Sequence, residues 1–299
     1  MKHKNRFSLL GIGLMALCLM FGTGPAVAGI VDDGAGTITV TGDNTDPITA
    51  ADDTTVTVNT GATLTTPADA VTFTGDGNAV VNNGAITATE GNAITVTYDN
   101  DAETTQSHTV TNNGAITGVS GISFCTDPDL YPNEAGVANN DMVNNYGTIE
   151  ATGAYLAGGI ESEEEPAAVA MGEGADLLNN YEGAEITGSV LMGPGDDQIF
   201  NWGSMTSTYG AAIKMGDGSD TLENAGTITA EDSDCAGISM ADGDDTVTNT
   251  GTIDIGTTSG AGVSMADGDD TFREPLKIHF LKKAVCGGKK FSDWDLSGK

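Results

Sequence analysis

Five aspartates recur at one place in a repeating frame: Asp176, Asp197, Asp220, Asp245 and Asp270. Each closes a Gly- and Asp-rich turn, as in Gly216-Asp217-Gly218-Ser219-Asp220 and Ala241-Asp242-Gly243-Asp244-Asp245. Carboxylate oxygens are the ligands that hard cations take, so these five are the candidate metal residues and calcium is the candidate cofactor. If the frame stacks, successive carboxylates lie about 4.8 Å apart. At that distance two unit charges repel by about 0.9 kcal/mol in water and about 3.5 kcal/mol at an effective dielectric of 20. Something must offset this, either turn amides donating to each carboxylate or bound cations. Like charges at that spacing also raise the carboxylate pKa values.

Other reactive groups are scarce. The adjacent acids Asp196-Asp197, Asp244-Asp245 and Asp269-Asp270 could in principle hydrolyse a glycoside. They recur once per repeat, however, as a structural turn does, whereas a catalytic pair is a singular feature. Between residues 29 and 272 there is no Arg to hold a uronate carboxylate. His108 is the single histidine there; its position in an insertion reads as an exposed loop residue, and no Ser-His-Asp or Cys-His set can be built around it. Cys125, Cys235 and Cys286 make no disulfide framework and read as small apolar fillers. No enzyme activity is expected.

The elements that carry these residues are repeats. Ile213-Lys214-Met215 opens one unit, Leu222-Glu223-Asn224 continues it, and Gly226-Thr227-Ile228 ends it. The next unit runs from Ile238-Ser239-Met240 through Val247-Thr248-Asn249 to Gly251-Thr252-Ile253, and a third starts at Val263-Ser264-Met265. Met171, Met192, Met215, Met240 and Met265 mark five successive units at intervals of 21, 23, 25 and 25 residues. Weaker copies pass through Val71-Thr72-Phe73, Ile94-Thr95-Val96 and Ile122-Ser123-Phe124, with Asn78 in the aspartate place, and a degenerate copy lies at Asn59-Thr60-Gly61. Each unit has three short apolar segments separated by Gly and Asn corners, which supply the unusual backbone angles of turns. One such coil cannot bury its apolar side alone, but stacked coils share a core. The expected fold is therefore all-β: a right-handed parallel β-helix of about eight coils, right-handed because parallel crossovers are. A β-sandwich of hairpins is the alternative, disfavoured by the fixed offsets. Insertions near 97–108 and 125–140 are the segments expected to carry specific contacts.

The ends differ from the body. Lys2, Lys4 and Arg6 precede an apolar run and an Ala26-Val27-Ala28 cleavage signature, so residues 1–28 read as a secretory signal peptide. Residues 29–272 hold a single basic residue, Lys214, and all but three of the 43 acids. Such a surface repels nucleic acid and attracts cations, and it has no transmembrane span. Residues 273–299 are a basic, non-repeat tail: Glu274 and Leu276 stand where the frame calls for Asn and Gly. This abrupt change suggests a frameshift, a truncated gene or a segment that caps the solenoid.

A signal peptide followed by tandem GDGSDTLENAGTI and ADGDDTVTNTGTI units resembles the passenger region of bacterial outer-membrane autotransporters. That resemblance covers about residues 50–272. It implies a β-helix displayed at the cell surface or outer membrane, an adhesin-like role and an unknown host or cell-surface ligand. The family's C-terminal β-barrel is missing here, so periplasmic or secreted placement is the other expectation. Gly216, Gly218, Asp220 and Leu222 also match part of the calcium-binding RTX nonapeptide, with Met215 in place of its first Gly. This implies an alternative, a calcium-binding exported repeat protein, although the nonapeptide occurs once per coil rather than in tandem.

Overall fold

The computed structural model describes residues 29–96, 107–124, 140–153, 167–208, 210–231, 236–256 and 261–274. The signal segment, residues 97–106 and 125–139 of the insertions, Cys125, Cys235, the acidic stretch 161–165 and the tail from 275 lie outside them. The described residues contain strands and turns and no helix.

The strands form three sheets, and each unit of the repeat contributes one strand to each. The x-Leu-x-Asn segments, such as Thr221–Asn224, build the first sheet; the Thr-Ile segments, such as Thr227–Ala230, build the second; the Ile-x-Met segments, such as Ile213–Lys214, build the third. Neighbours within each sheet are one coil apart in sequence and parallel, so Leu222 pairs with Val247, Ile228 with Ile253 and Ile213 with Ile238. This is a parallel β-helix, as the repeat predicts. The second and third sheets hold nine strands each. The described coils are therefore one more than the eight expected, because Thr37–Thr41, Asp43–Asn44 and Ile48–Ala50 form a coil that the sequence frame does not mark. Ahead of it, Gly29–Asp32 folds back antiparallel on Thr37–Thr41 and covers the edge of the first sheet.

Alternation with period two sends every second side chain inward. Ile213, Met215, Leu222, Ile228, Ile238, Met240 and Val247 are all fully buried in one continuous core. Ile253, expected there with them, is only partly buried. Its strand, Thr252–Asp254, is the last described one of the second sheet, so among the described residues no further coil covers it.

A second buried column is polar. Asn82, Asn112, Asn145, Asn180, Asn201, Asn224 and Asn249 face inward at the end of successive first-sheet strands. Each of the first six donates its Nδ2 to the Oδ1 of the next at 2.7–2.9 Å. Most reach a backbone carbonyl as well, such as Asn224 to Thr252 at 3.2 Å. A primary amide is both donor and acceptor, so a stack of identical amides satisfies itself. Asn249, the last, donates to Oε1 of Glu274 at 3.2 Å, so Glu274 serves as acceptor where the frame calls for Asn. The turn that follows admits only glycine: a Cβ on Gly226 would lie 2.0 Å from the Gly203 carbonyl oxygen.

Truncating Leu222 to Ala should lower unfolding free energy by about 2–5 kcal/mol, since stacked neighbours on both sides prevent the cavity from closing. Chemical denaturation of both proteins, compared at equal m-value, measures this.

Candidate functional site: the aspartate column

The corner between the third and first sheets is a Gly-rich turn that repeats on itself. Gly174, Gly195, Gly218 and Gly243 each donate their N–H to a carbonyl in the next coil, at Pro194, Asp217, Asp242 and Asp267, over 2.8–3.0 Å. The turns pack so closely that a Cβ on Gly218 would sit 1.8 Å from the Gly195 oxygen, and its φ of +148° already favours glycine. The residue after this turn immediately precedes a first-sheet strand.

That residue is Asn78, His108, Asp141, Asp176, Asp197, Asp220, Asp245 and Asp270 in successive coils. The structure therefore brings the five predicted aspartates into one column and adds Asp141 and His108 to it. The four aspartates from Asp176 to Asp245 are buried to within about 1 % of full coverage. Asp270, in the last described coil, is half-buried.

Each carboxylate has one fixed partner. Its Oδ1 accepts the backbone N–H of the column residue one coil earlier. His108 donates to Asp141 at 2.6 Å, Asp141 to Asp176 at 2.7 Å, Asp176 to Asp197 and Asp197 to Asp220 at 2.8 Å. Asp220 donates to Asp245 at 3.0 Å and Asp245 to Asp270 at 3.2 Å. The column thus joins coil to coil where a strand's carbonyl is not available. The second oxygen is different: Oδ2 of Asp141, Asp176, Asp197, Asp220 and Asp245 is buried and has no hydrogen-bond partner. Asn78 shows what fills the same place without charge. Its Oδ1 accepts from Thr54 N–H at 2.9 Å and its Nδ2 donates to the Gly75 carbonyl at 2.5 Å.

A buried oxygen without a partner disfavours the ionised form. Burial pushes Asp176 to about 7; burial, ahead of the charge of neighbouring aspartates, pushes Asp197 to about 8, Asp220 to about 7 and Asp245 to about 6; the amide that each accepts acts in the opposite direction. Asp141 is also raised, by burial first and then by Asp176. Repulsion along the column is therefore the lesser cause, and desolvation the greater.

His108 is a correction to the sequence reading. It is buried rather than exposed, with its ring stacked on Phe73 at 5.1 Å and tilted against Phe124 at 5.9 Å. Neither ring nitrogen has a hydrogen-bond partner, and burial lowers its pKa to about 4. Residues 107, 108 and 140 belong to the coil corner rather than to the insertions. The signal for this was present: His108-Thr109-Val110 and Asp141-Met142-Val143 repeat the spacing of Asn78-Ala79-Val80.

As a cation site the column offers one free oxygen per coil. Among the described residues no three His, Cys, Asp or Glu side chains converge on one point. Calcium takes six to eight oxygens, and these carboxylates do not assemble that cage by themselves.

The sign of the pH dependence follows from the raised pKa values. In the unfolded chain these aspartates titrate near 3.8; in the folded chain they hold their protons to pH 6–8. The folded state binds more protons between those limits, so stability falls as pH rises from about 4 to about 8. The melting temperature should be higher at pH 5 than at pH 8. Asp197→Asn keeps the Oδ1 acceptor and removes the charge, so it should raise the melting temperature at pH 8 and flatten the pH dependence. Asp197→Ala leaves the Asp176 N–H unpaired and should cost about 1–3 kcal/mol.

A family model of the BigA third pectate lyase-like domain matches residues 30–271. No curated protein and no solved structure matches the chain.

Proposed function

From the premise that the chain belongs to the BigA third pectate lyase-like domain family, we propose that it is a non-enzymatic scaffold, displayed at the cell surface or secreted, which acts in adhesion. The observation that carries this reading is the use to which the aspartate column and His108 are put. The recurrent acids stack, each inner carboxylate is held by an amide of the coil before it, and the His108 ring packs between Phe73 and Phe124. Side chains fixed into axial ladders hold coils together rather than meet a substrate. The signal-like segment 1–28 supports export, and among the described residues no helix is long and apolar enough to cross a membrane. The autotransporter resemblance fits surface display.

The secreted chain should release no reducing ends or unsaturated products from polygalacturonate or neutral polysaccharides; turnover of any of them would replace the scaffold reading with an enzymatic one. A host-cell ligand that docks on the insertions should be lost when 97–106 and 125–139 are shortened to tight turns, while the melting temperature of the coils is kept.

The second reading, a calcium-responsive repeat protein, draws on the row of unpartnered Oδ2 atoms. Calcium bound there would stabilise by mass action. Millimolar calcium should then raise the melting temperature above that in sodium at equal ionic strength, and Asp197→Asn should reduce the gain. Superimposable melts in calcium, sodium and chelator dispose of this reading and leave the scaffold.

A further inference from the structure

The outer face of the first sheet is nearly free of charge in an otherwise acidic body. The sheet has eleven strands, and from Thr37–Thr41 to Thr246–Asn249, all but its first and last, the outward positions hold threonine, asparagine, glutamine and apolar residues. Glu223 is the one exception on these strands. The second sheet differs, since Glu150, Glu185 and Asp254 point outward from it, and the third carries the exposed Lys214. Further exposed acids, such as Asp217, Asp242 and Asp267, crowd the corner between the third and first sheets.

Apolar surface gathers toward the middle of this face. Met142, Leu177 and Phe200 project from three consecutive strands, and Tyr146, Tyr181 and Trp202 follow at the corner after the buried asparagine. Among the described residues the exposed large hydrophobic side chains are Val31, Met142, Tyr146 and Trp202, and all four belong to this sheet or its corner. The rings stack on one another, Tyr146 on Tyr181 at 4.0 Å and 6° and Tyr181 on Trp202 at 5.7 Å and 19°, so the row is stiff before any partner arrives. The coil does not require them: Thr109 and Thr221 stand in the row of Met142, and Asn113 and Ala225 in the row of Tyr146. Amides and hydroxyls fill the remainder of the face. Asn179 donates to Asn144 at 3.0 Å and Asn113 to Asn83 at 2.9 Å.

We propose that this face binds a second copy of the chain, first sheet against first sheet. Sheets stack face to face at about 10 Å, and a two-fold pairing sets one patch against itself. Three features choose a copy as the occupant. Between residues 29 and 272 Lys214 is the one basic residue, so two copies repel across their acidic corners, and this face adds almost nothing to that repulsion. Amides and hydroxyls donate and accept at once, so a face made of them complements itself, as a face of carboxylates does not. The area also fits: strands at about 4.8 Å spacing and about 13 Å of strand length give roughly 550 Å² per copy over this stretch. The total of roughly 1,100 Å² lies just below the range of stable complexes, so the dimer is weak and depends on concentration. Charged partners are not matched to the face, because a basic one is drawn to the acidic corners and a polyanion is repelled by the whole body.

The contact uses no host ligand, so its failure leaves the adhesion reading in place. Sedimentation equilibrium of the purified secreted chain from about 5 to about 500 µM should show monomer and dimer with Kd on the order of 100 µM. Added sodium chloride screens the acidic corners and should tighten the dimer, and a calcium chelator should leave it unchanged. Leu177→Glu places like charges within the contact and should weaken it about tenfold or more. Asn179→Asp adds the same charge without a change in volume and should weaken it in the same direction. Thr229→Glu adds that charge to the outer face of the second sheet and should dimerise as the parent does. Thermal melts of the three variants should overlay that of the parent, since all three positions face outward. Monomer throughout the range overturns the proposal and leaves the face to a partner of other chemistry. Association that Leu177→Glu and Asn179→Asp both leave intact, that a chelator abolishes, or that grows beyond the dimer overturns it as well.

Discussion

Along the described coils, each strand position meets its own counterpart one coil away. Parallel pairing in constant register puts Leu222 on Val247, Asn224 on Asn249 and Asp220 near Asp245. A residue type is therefore selected by whether it tolerates itself as a neighbour at about 4.8 Å. Aliphatic side chains do, through packing. Asparagine does, because its amide is donor and acceptor at once. Glycine does where backbone meets backbone, as at Gly195 and Gly218. Aspartate is the residue that fails this test on its own, since an ionised carboxylate only accepts.

The aspartate column is consequently the tense part of the molecule. Its Oδ1 atoms join coils by taking the amide of the coil before, a task that Asn78 performs without charge. Keeping aspartate there leaves a buried Oδ2 in coil after coil. The raised pKa values express that conflict: the proton is the partner nearest to hand, and it is retained into the neutral range. The fold is thus tied to pH through a structural element that repeats along the solenoid.

Much of this was legible in the sequence. The three-segment unit, the identity of the inward residues and the alignment of five aspartates all follow from fixed offsets and period-two alternation. The coil at Thr37–Ala50 was not legible, because Asp43–Asn44 supplies no apolar residue to mark its second-sheet strand. His108 was misplaced because a long insertion precedes it, and a histidine in a Thr- and Asp-rich stretch looks solvated. Pairing of Thr109–Asn112 with Ala79–Asn82 shows that it belongs to the corner, in keeping with the spacing it shares with Asn78-Ala79-Val80. The cause of the pKa shift was also misjudged: spacing along the chain predicts repulsion, but it cannot say that the second oxygen faces away from water. The aromatic column needed the register too, since Tyr146, Tyr181 and Trp202 are separated by 35 and 21 residues and meet through sheet pairing alone.

The asparagine ladder has one further property. Each Nδ2–H points toward the following coil and each Oδ1 toward the preceding one, without a reversal from Asn82 to Asn249. The amide dipoles therefore add head to tail, and each polarises the next. The solenoid carries an axial electric polarity through its interior, positive toward its C-terminal end, much as a helix gathers its peptide dipoles into a terminal partial charge. Glu274 stands at that positive end and accepts the last N–H hydrogen bond of the ladder. A carboxylate in the final place neutralises the pole as an acid does at a helix N-terminus, so the substitution that breaks the repeat pattern is the one that terminates its field.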